Sequence, residues 1–175
     1  MGFLSISRRV VGAALLCLSG CGSGDQDEDE PHHCSLSLEL SGAATLSRPF
    51  EDSIACGTNS TNSHFQIIYQ VPDPLQEPLS TFALTVGASE GETGTLPAQV
   101  LVFAKDNAWE TPSSGCTVTI AEHSLLRTRE IHSVEVRSYL VRGTGSCAAE
   151  AEGLWDESRV TVGPFEFESS VGWSD

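Results

Sequence analysis

The chain has 175 residues, 24 of them acidic and 9 basic, with a net charge of −15. That length suggests one domain plus an export segment, and so acidic a surface repels phosphate backbones, so nucleic acid is not expected as a partner. No apolar run approaches the roughly 20 residues that an ordinary membrane-spanning helix needs.

Residues 1–20 divide into three parts. Arg8 and Arg9 supply positive charge, residues 10–18 are apolar, and Ser19 and Gly20 are small. A charged end, a short apolar middle and small residues before a cut are the parts of a secretory signal peptide. Leu18-Ser19-Gly20-Cys21 resembles the lipobox of bacterial lipoprotein precursors: an aliphatic residue, two small residues and a cysteine. The resemblance covers about the first 21 residues. It implies diacylglycerol on the Cys21 thiol, cleavage before Cys21 and a membrane anchor in the cell envelope. Two or three acyl chains there hold a protein permanently, whereas one short chain binds reversibly. Gly22 stands where an aspartate favours inner-membrane retention in well-studied lipoproteins, so the outer membrane is expected. Ser7-Arg8-Arg9-Val10-Val11 weakly resembles a twin-arginine signal, with Val11 where phenylalanine is usual.

Arg8 and Arg9 leave with the signal segment, so the mature chain sets 24 acids against seven bases, a net charge of −17. The plain reading of that charge is solubility. Residues 21–33 are the lipidated cysteine and an acidic stretch with no apolar residue after it to bury. They are expected to be a solvated tether. The twelve residues after Cys21 reach at most about 40 Å. Asp25, Asp27 and Asp29 alternate as at the start of a calcium loop, but the glycine and distal glutamate of that loop are missing, so no metal is assigned there.

From Cys34 the pattern changes to short alternating runs, the signal of β-strands. Leu36, Leu38 and Leu40 alternate with polar residues, as do Phe65, Ile67, Tyr69 and Val71, and then Phe82, Leu84 and Val86. Residues 98–104 are apolar except Gln99 and read as a central strand covered on both faces. Val118 and Ile120 alternate next, and Val134 and Val136 continue towards Tyr139, Leu140 and Val141. Val160 and Val162 are followed by Phe165 and Phe167, with Gly163-Pro164 shifting the parity as at a bulge. Pro72-Asp73-Pro74, residues 90–94, residues 112–115 and Gly143-Thr144-Gly145 read as breaks. Residues 121–129 could hold a helical turn, although no apolar stripe supports one.

Seven or eight short strands over residues 34–175 predict an all-β domain. An antiparallel β-sandwich, immunoglobulin-like or jelly-roll, is the expected form, and a closed barrel is the alternative.

Four cysteines remain in the mature domain once Cys17 has left and Cys21 is lipidated: Cys34, Cys56, Cys116 and Cys147. An even set in an exported domain implies disulfides. If the run from Cys116 pairs antiparallel with the run before Cys147, around a connection at 122–130, those two cysteines meet. Cys34 shares the core parity of Leu36, which leaves it with Cys56. Zinc is the rival, prompted by His32-His33-Cys34, but the spacings do not match a compact zinc site.

Catalysis has little support. Among the many serines no Gly-x-Ser-x-Gly elbow is expected, and no glycine-rich nucleotide loop is present, so no cofactor is expected. Glu166 and Glu168 share a strand face. Paired carboxylates can do acid–base work at a glycosidic bond, but two glutamates on a wet strand face are the commoner case. His64, His123 and His132 read as surface histidines. Asn59-Ser60-Thr61 has a glycosylation pattern and reads as a polar loop.

Trp109, Trp155 and Trp173 sit in polar, loop-like surroundings. Exposed aromatics stack on sugar rings or anchor protein partners. The plainer reading is that each closes one end of the core. The expectation is a non-enzymatic, anchored binding or structural module with a protein or polysaccharide partner. A carbohydrate-binding module is the first alternative, and a secreted hydrolase or hydrolase inhibitor the second.

Overall fold

A computed structural model of the chain describes residues 33–50, 55–70, 81–104 and 107–174. The expected signal segment and lipid site at Cys21, the expected tether at residues 22–32, Val71 and Pro72-Asp73-Pro74 lie outside the described residues. Among the described residues no helix forms and every strand ladder is antiparallel.

Eleven strands appear among them, more than the seven or eight expected: β1 (Cys34–Gly42), β2 (Leu46–Phe50), β3 (Ala55–Thr61), β4 (His64–Gln70), β5 (Thr81–Val86), β6 (Gly94–Ala104), β7 (Asn107–Glu110), β8 (Cys116–Ile131), β9 (Val134–Cys147), β10 (Ala151–Gly153) and β11 (Arg159–Ser174). One continuous ladder runs β2-β1-β11-β10-β7-β6-β5-β4-β3. β9 and β8 form a second track between β11 and β6. The single sheet folds over on itself. Cys34 of β1 is bonded to Cys56 of β3, the Ser60 hydroxyl donates to the Gly172 carbonyl at 2.5 Å, and the Tyr69 hydroxyl donates to the Glu168 carbonyl at 3.2 Å. The walls enclose one core, so the packing is that of a sandwich although the hydrogen bonding is that of one sheet.

The alternating runs build that core. Leu36, Leu38, Leu40, Phe65, Ile67, Tyr69, Phe82, Leu84 and Val86 are all buried. The parity shift at Gly163-Pro164 is a bulge: between the pairs Leu38–Phe165 and Leu40–Val162, Glu39 of β1 alone opposes both Gly163 and Pro164 of β11. Both expected disulfides form, Cys34–Cys56 and Cys116–Cys147. Cys116 and Cys147 face each other directly in the β8–β9 ladder.

Three expectations change. Gly143-Thr144-Gly145 is not a break but the middle of β9. Gly143 opposes Phe167 and Gly145 opposes Phe165 on β11. A β-carbon at Gly143 would stand 2.6 Å from the Thr119 carbonyl and 2.8 Å from the Phe167 ring, and one at Gly145 would enter the Phe165 ring. The glycines are there because the two rings fill the space of their side chains. Residues 121–129 are strand, not helical turn. The ladder slips between Ile120 and Glu122 and again between Leu125 and Arg127, and these slips destroy the two-residue period. Residues 98–104 are covered fully on one face only. Ala98, Val100, Val102 and Ala104 are buried while Gln99, Leu101 and Phe103 are half-buried.

The β8–β9 hairpin closes through His132 and Ser133, at φ 50° and 65°. Two consecutive left-handed residues match a two-residue hairpin turn that favours Asn-Gly. Serine does not adopt that region cheaply, and histidine, though it tolerates it better than most side chains, lacks the freedom of glycine. Replacing His132→Asn together with Ser133→Gly should therefore stabilise the domain by about 0.5–1 kcal/mol, read as a raised thermal midpoint. A lowered midpoint would show that the native side chains hold the turn.

Candidate functional site

The three tryptophans separate in space. Trp173 is buried, with its ring 4.9 Å from His123, 5.5 Å from Tyr139 and 5.8 Å from Phe65. Trp109 is buried on β7. Both close the core and neither can stack on a ligand. Trp155 is 67% exposed. It lies in the connection between β10 and β11, beside half-exposed Leu154.

That connection is tightly bracketed. The Gly153 amide donates to the Ser158 carbonyl at 2.8 Å, and the Leu154 amide donates to the Ala108 carbonyl at 2.8 Å. Asp156 Oδ1 accepts from the Ser158 amide at 3.0 Å and from the Ser158 hydroxyl at 2.5 Å. Asn107 Nδ2 donates to Asp156 Oδ2 at 2.8 Å. The buried Trp109 indole donates through Nε1 to Ser158 Oγ at 2.7 Å, so a core residue pins the base of the loop. The Ser158 hydroxyl, then Asn107, then the Ser158 amide hold the Asp156 carboxyl below its ordinary pKa. At Gly153 a β-carbon would collide with Asp156. The loop thus presents one large aromatic on a fixed backbone, which lowers the ordering cost of binding. Asp156-Glu157-Ser158 is a local turn signature visible in the sequence; the partners Asn107 and Trp109 are distant in the chain and were not.

A second constellation lies on the outer face of β1, β11, β9 and β8. Arg142 bonds Glu168 through Nε at 2.5 Å and Glu122 through Nη1 at 3.0 Å, and His33 Nδ1 lies 2.7 Å from Glu168. Partial burial alone would raise the Glu168 pKa, but the Arg142 and His33 contacts outweigh it and hold the carboxyl below its usual value. Ser35, Ser37, Thr144 and Glu166 complete a shallow groove of about 350 Å³. Glu168 is kept ionised and tied to a cation, which is the wrong state for a general acid.

His64 is exposed and pairs with Thr61, while His132 sits at the hairpin turn. His123 departs from the surface reading, because its ring packs among Phe65, Tyr139 and Trp173. The Gly91 amide donates to its Nε2 at 3.3 Å, so Nδ1 carries the proton that the Glu92 carbonyl accepts at 2.8 Å. Against the expectation that no such pattern occurs, Gly87-Ala88-Ser89-Glu90-Gly91 matches Gly-x-Ser-x-Gly. It joins two strands rather than a strand and a helix, and both ring nitrogens of the neighbouring His123 are taken by backbone. The context that makes this pattern a nucleophile elbow is missing. Asn59 lies within β3 rather than a loop. Among the described residues, no three His, Cys, Asp or Glu side chains gather as metal ligands. No protein-family model, curated protein or solved structure matches the chain.

Proposed function

We propose that this protein is a non-enzymatic, lipid-anchored envelope module that binds a protein or polysaccharide partner through the Trp155 loop. The observation that carries the reading is the pairing of exposure with rigidity: an indole 67% exposed on a loop fixed by hydrogen bonds at Gly153, Leu154, Asp156 and Ser158. An aromatic presented in that way makes a binding hot spot, because its area is gained without ordering a chain. The anchored part of the reading rests on Leu18-Ser19-Gly20-Cys21. A carbohydrate ligand is favoured over a protein where acceptors flank the ring. Asp156 and Glu157 follow Trp155 directly, giving carboxylate acceptors for sugar hydroxyls.

The first test is optical. Trp109 and Trp173 are shielded, so Trp155 alone should be quenched strongly by iodide, and Trp155→Ala should remove nearly all quenchable emission. The functional test is binding of the mature protein to isolated peptidoglycan and envelope polysaccharides. Trp155→Ala should weaken binding at least about ten-fold, as expected for an aromatic hot spot. Unchanged affinity would reject the loop as the binding site.

A further inference from the structure

The far end of the β8–β9 hairpin carries apolar side chains that the core does not use. Ile131, Val134 and Leu125 are exposed. Register sorts the rest of this arm into two faces. Ile131 pairs with Val134, Arg129 with Val136, and Arg127 with Ser138, so these six residues share one face. Glu130 and Glu135 pair with each other, and Thr128 pairs with Arg137, on the opposite face. Val136 pairs with Ser174 of β11 and Ser138 with Gly172, extending the first face with small residues. Among the described residues at this end of the face, from Arg127 to Ile131, Val134 to Ser138 and Gly172 to Ser174, there is no carboxylate, in a chain whose net charge is −15. The nearest on the same face, Glu122 and Glu168, stand beside Arg142 farther along the strands.

The strand directions fix where this face points. β1 begins at Cys34, opposite Ser169, and runs to Gly42, opposite Val160. The Ser170 amide donates to the His33 carbonyl, so the chain enters β1 from the side towards which β11 continues. Val141 also pairs with Ser169, and the turn at Ser133 lies eight residues further in that same direction. That is roughly 26 Å at about 3.3 Å per residue. Residues 22–33 span at most about 40 Å. A tether of that maximum reach, entering β1 from this side, lets the hairpin end touch a bilayer that holds Cys21. Trp155 lies beyond Arg159, at the other end of β11.

We infer that the tip of the β8–β9 hairpin rests on the membrane that carries the anchor, with Ile131 and Val134 entering the headgroup region. This deepens the anchored reading and depends on it. Most of the acidic surface is repelled by anionic lipid, whereas the tip of the Arg127–Ile131–Val136 face, with exposed Ile131 and Val134 and no carboxylate among its described residues, can approach. Aliphatic side chains at an interface gain by leaving water. The contact sets the orientation of the domain and directs the Trp155 loop away from the bilayer.

Hydrogen exchange on the mature lipoprotein, reconstituted in vesicles of phosphatidylcholine with one quarter phosphatidylglycerol, tests this. The backbone amides of His132 and Ser133 should exchange at least about ten-fold more slowly than in the Ile131→Asp/Val134→Asp variant in the same vesicles. Core amides and residues 154–158 should match between the two proteins, which also shows that the variant folds. Equal exchange at the turn, with the protein still sedimenting with vesicles, overturns the docking and leaves the anchor intact. Failure to sediment with vesicles overturns both. Protection that appears only at high protein-to-lipid ratio assigns the tip to a second copy of the chain and overturns the membrane contact.

Discussion

Replacing both Cys34 and Cys56 by alanine should lower the unfolding free energy by about 3 kcal/mol, on the chain-entropy account of a loop of this size. The two residues are 22 apart in sequence, and their bridge joins β1 to β3, which stand near opposite ends of the strand ladder. Hydrogen bonds elsewhere hold the two walls only locally, through Ser60 to Gly172 and Tyr69 to Glu168. Loss of the bridge should therefore also loosen β3 selectively. In equilibrium denaturation the double variant should unfold at clearly lower denaturant, and exchange should accelerate first at residues 55–61. The Cys116–Cys147 bridge differs in kind, because it lies inside a hairpin whose ladder already holds the two strands in register. Its removal should leave the exchange of β3 unchanged. A change below about 1 kcal/mol for Cys34 and Cys56, outside the usual span for native disulfides, would mean that wall-to-wall packing alone closes the fold.

Gly145→Val should destabilise the domain by about 3 kcal/mol, the upper range for overpacking a filled core. Any β-carbon at Gly145 enters the Phe165 ring. That ring cannot move freely, because its centroid is 5.7 Å from Phe82, which packs in turn on Tyr69. Phe165→Ala alone should cost about 3–5 kcal/mol through the cavity it leaves. The double variant should be much less unstable than the sum, since valine then occupies space the ring has vacated. A coupling of at least about 1 kcal/mol is expected for residues in direct contact. Additive losses in denaturant titrations would show that ring and glycine do not share that space.

The alternation of core residues was legible because period two survives wherever a strand is regular. Leu36, Leu38 and Leu40, the Phe65 to Tyr69 run and the bulge at Gly163-Pro164 all follow from it. The disulfide pairing followed from parity and strand sequence, although the connection was placed over residues that are strand. Two things were hidden. A glycine that makes a turn and a glycine that lies under a ring look alike in sequence, so Gly143 and Gly145 were read as a break; only their partners Phe165 and Phe167 distinguish the cases. Bulges at residues 121 and 126 erased the period of β8 over the stretch read as connection. For the site, Trp173 shares parity with Phe167 and Val171, so its burial was readable. Trp155 stayed outside any alternating run. Its loop is a site only because Asn107 and Trp109, nearly fifty residues away, reach Asp156 and Ser158.

Everything proposed about anchoring, orientation and outward display of Trp155 depends on lipid at one atom, the Cys21 thiol. Metabolic labelling with radioactive palmitate in a bacterial host measures it directly. The account predicts label on the mature chain, and loss of both label and normal processing in Cys21→Ser. An unlabelled wild-type chain released as a soluble protein, or a Cys21→Ser chain that still takes up lipid and partitions with membranes, would contradict it.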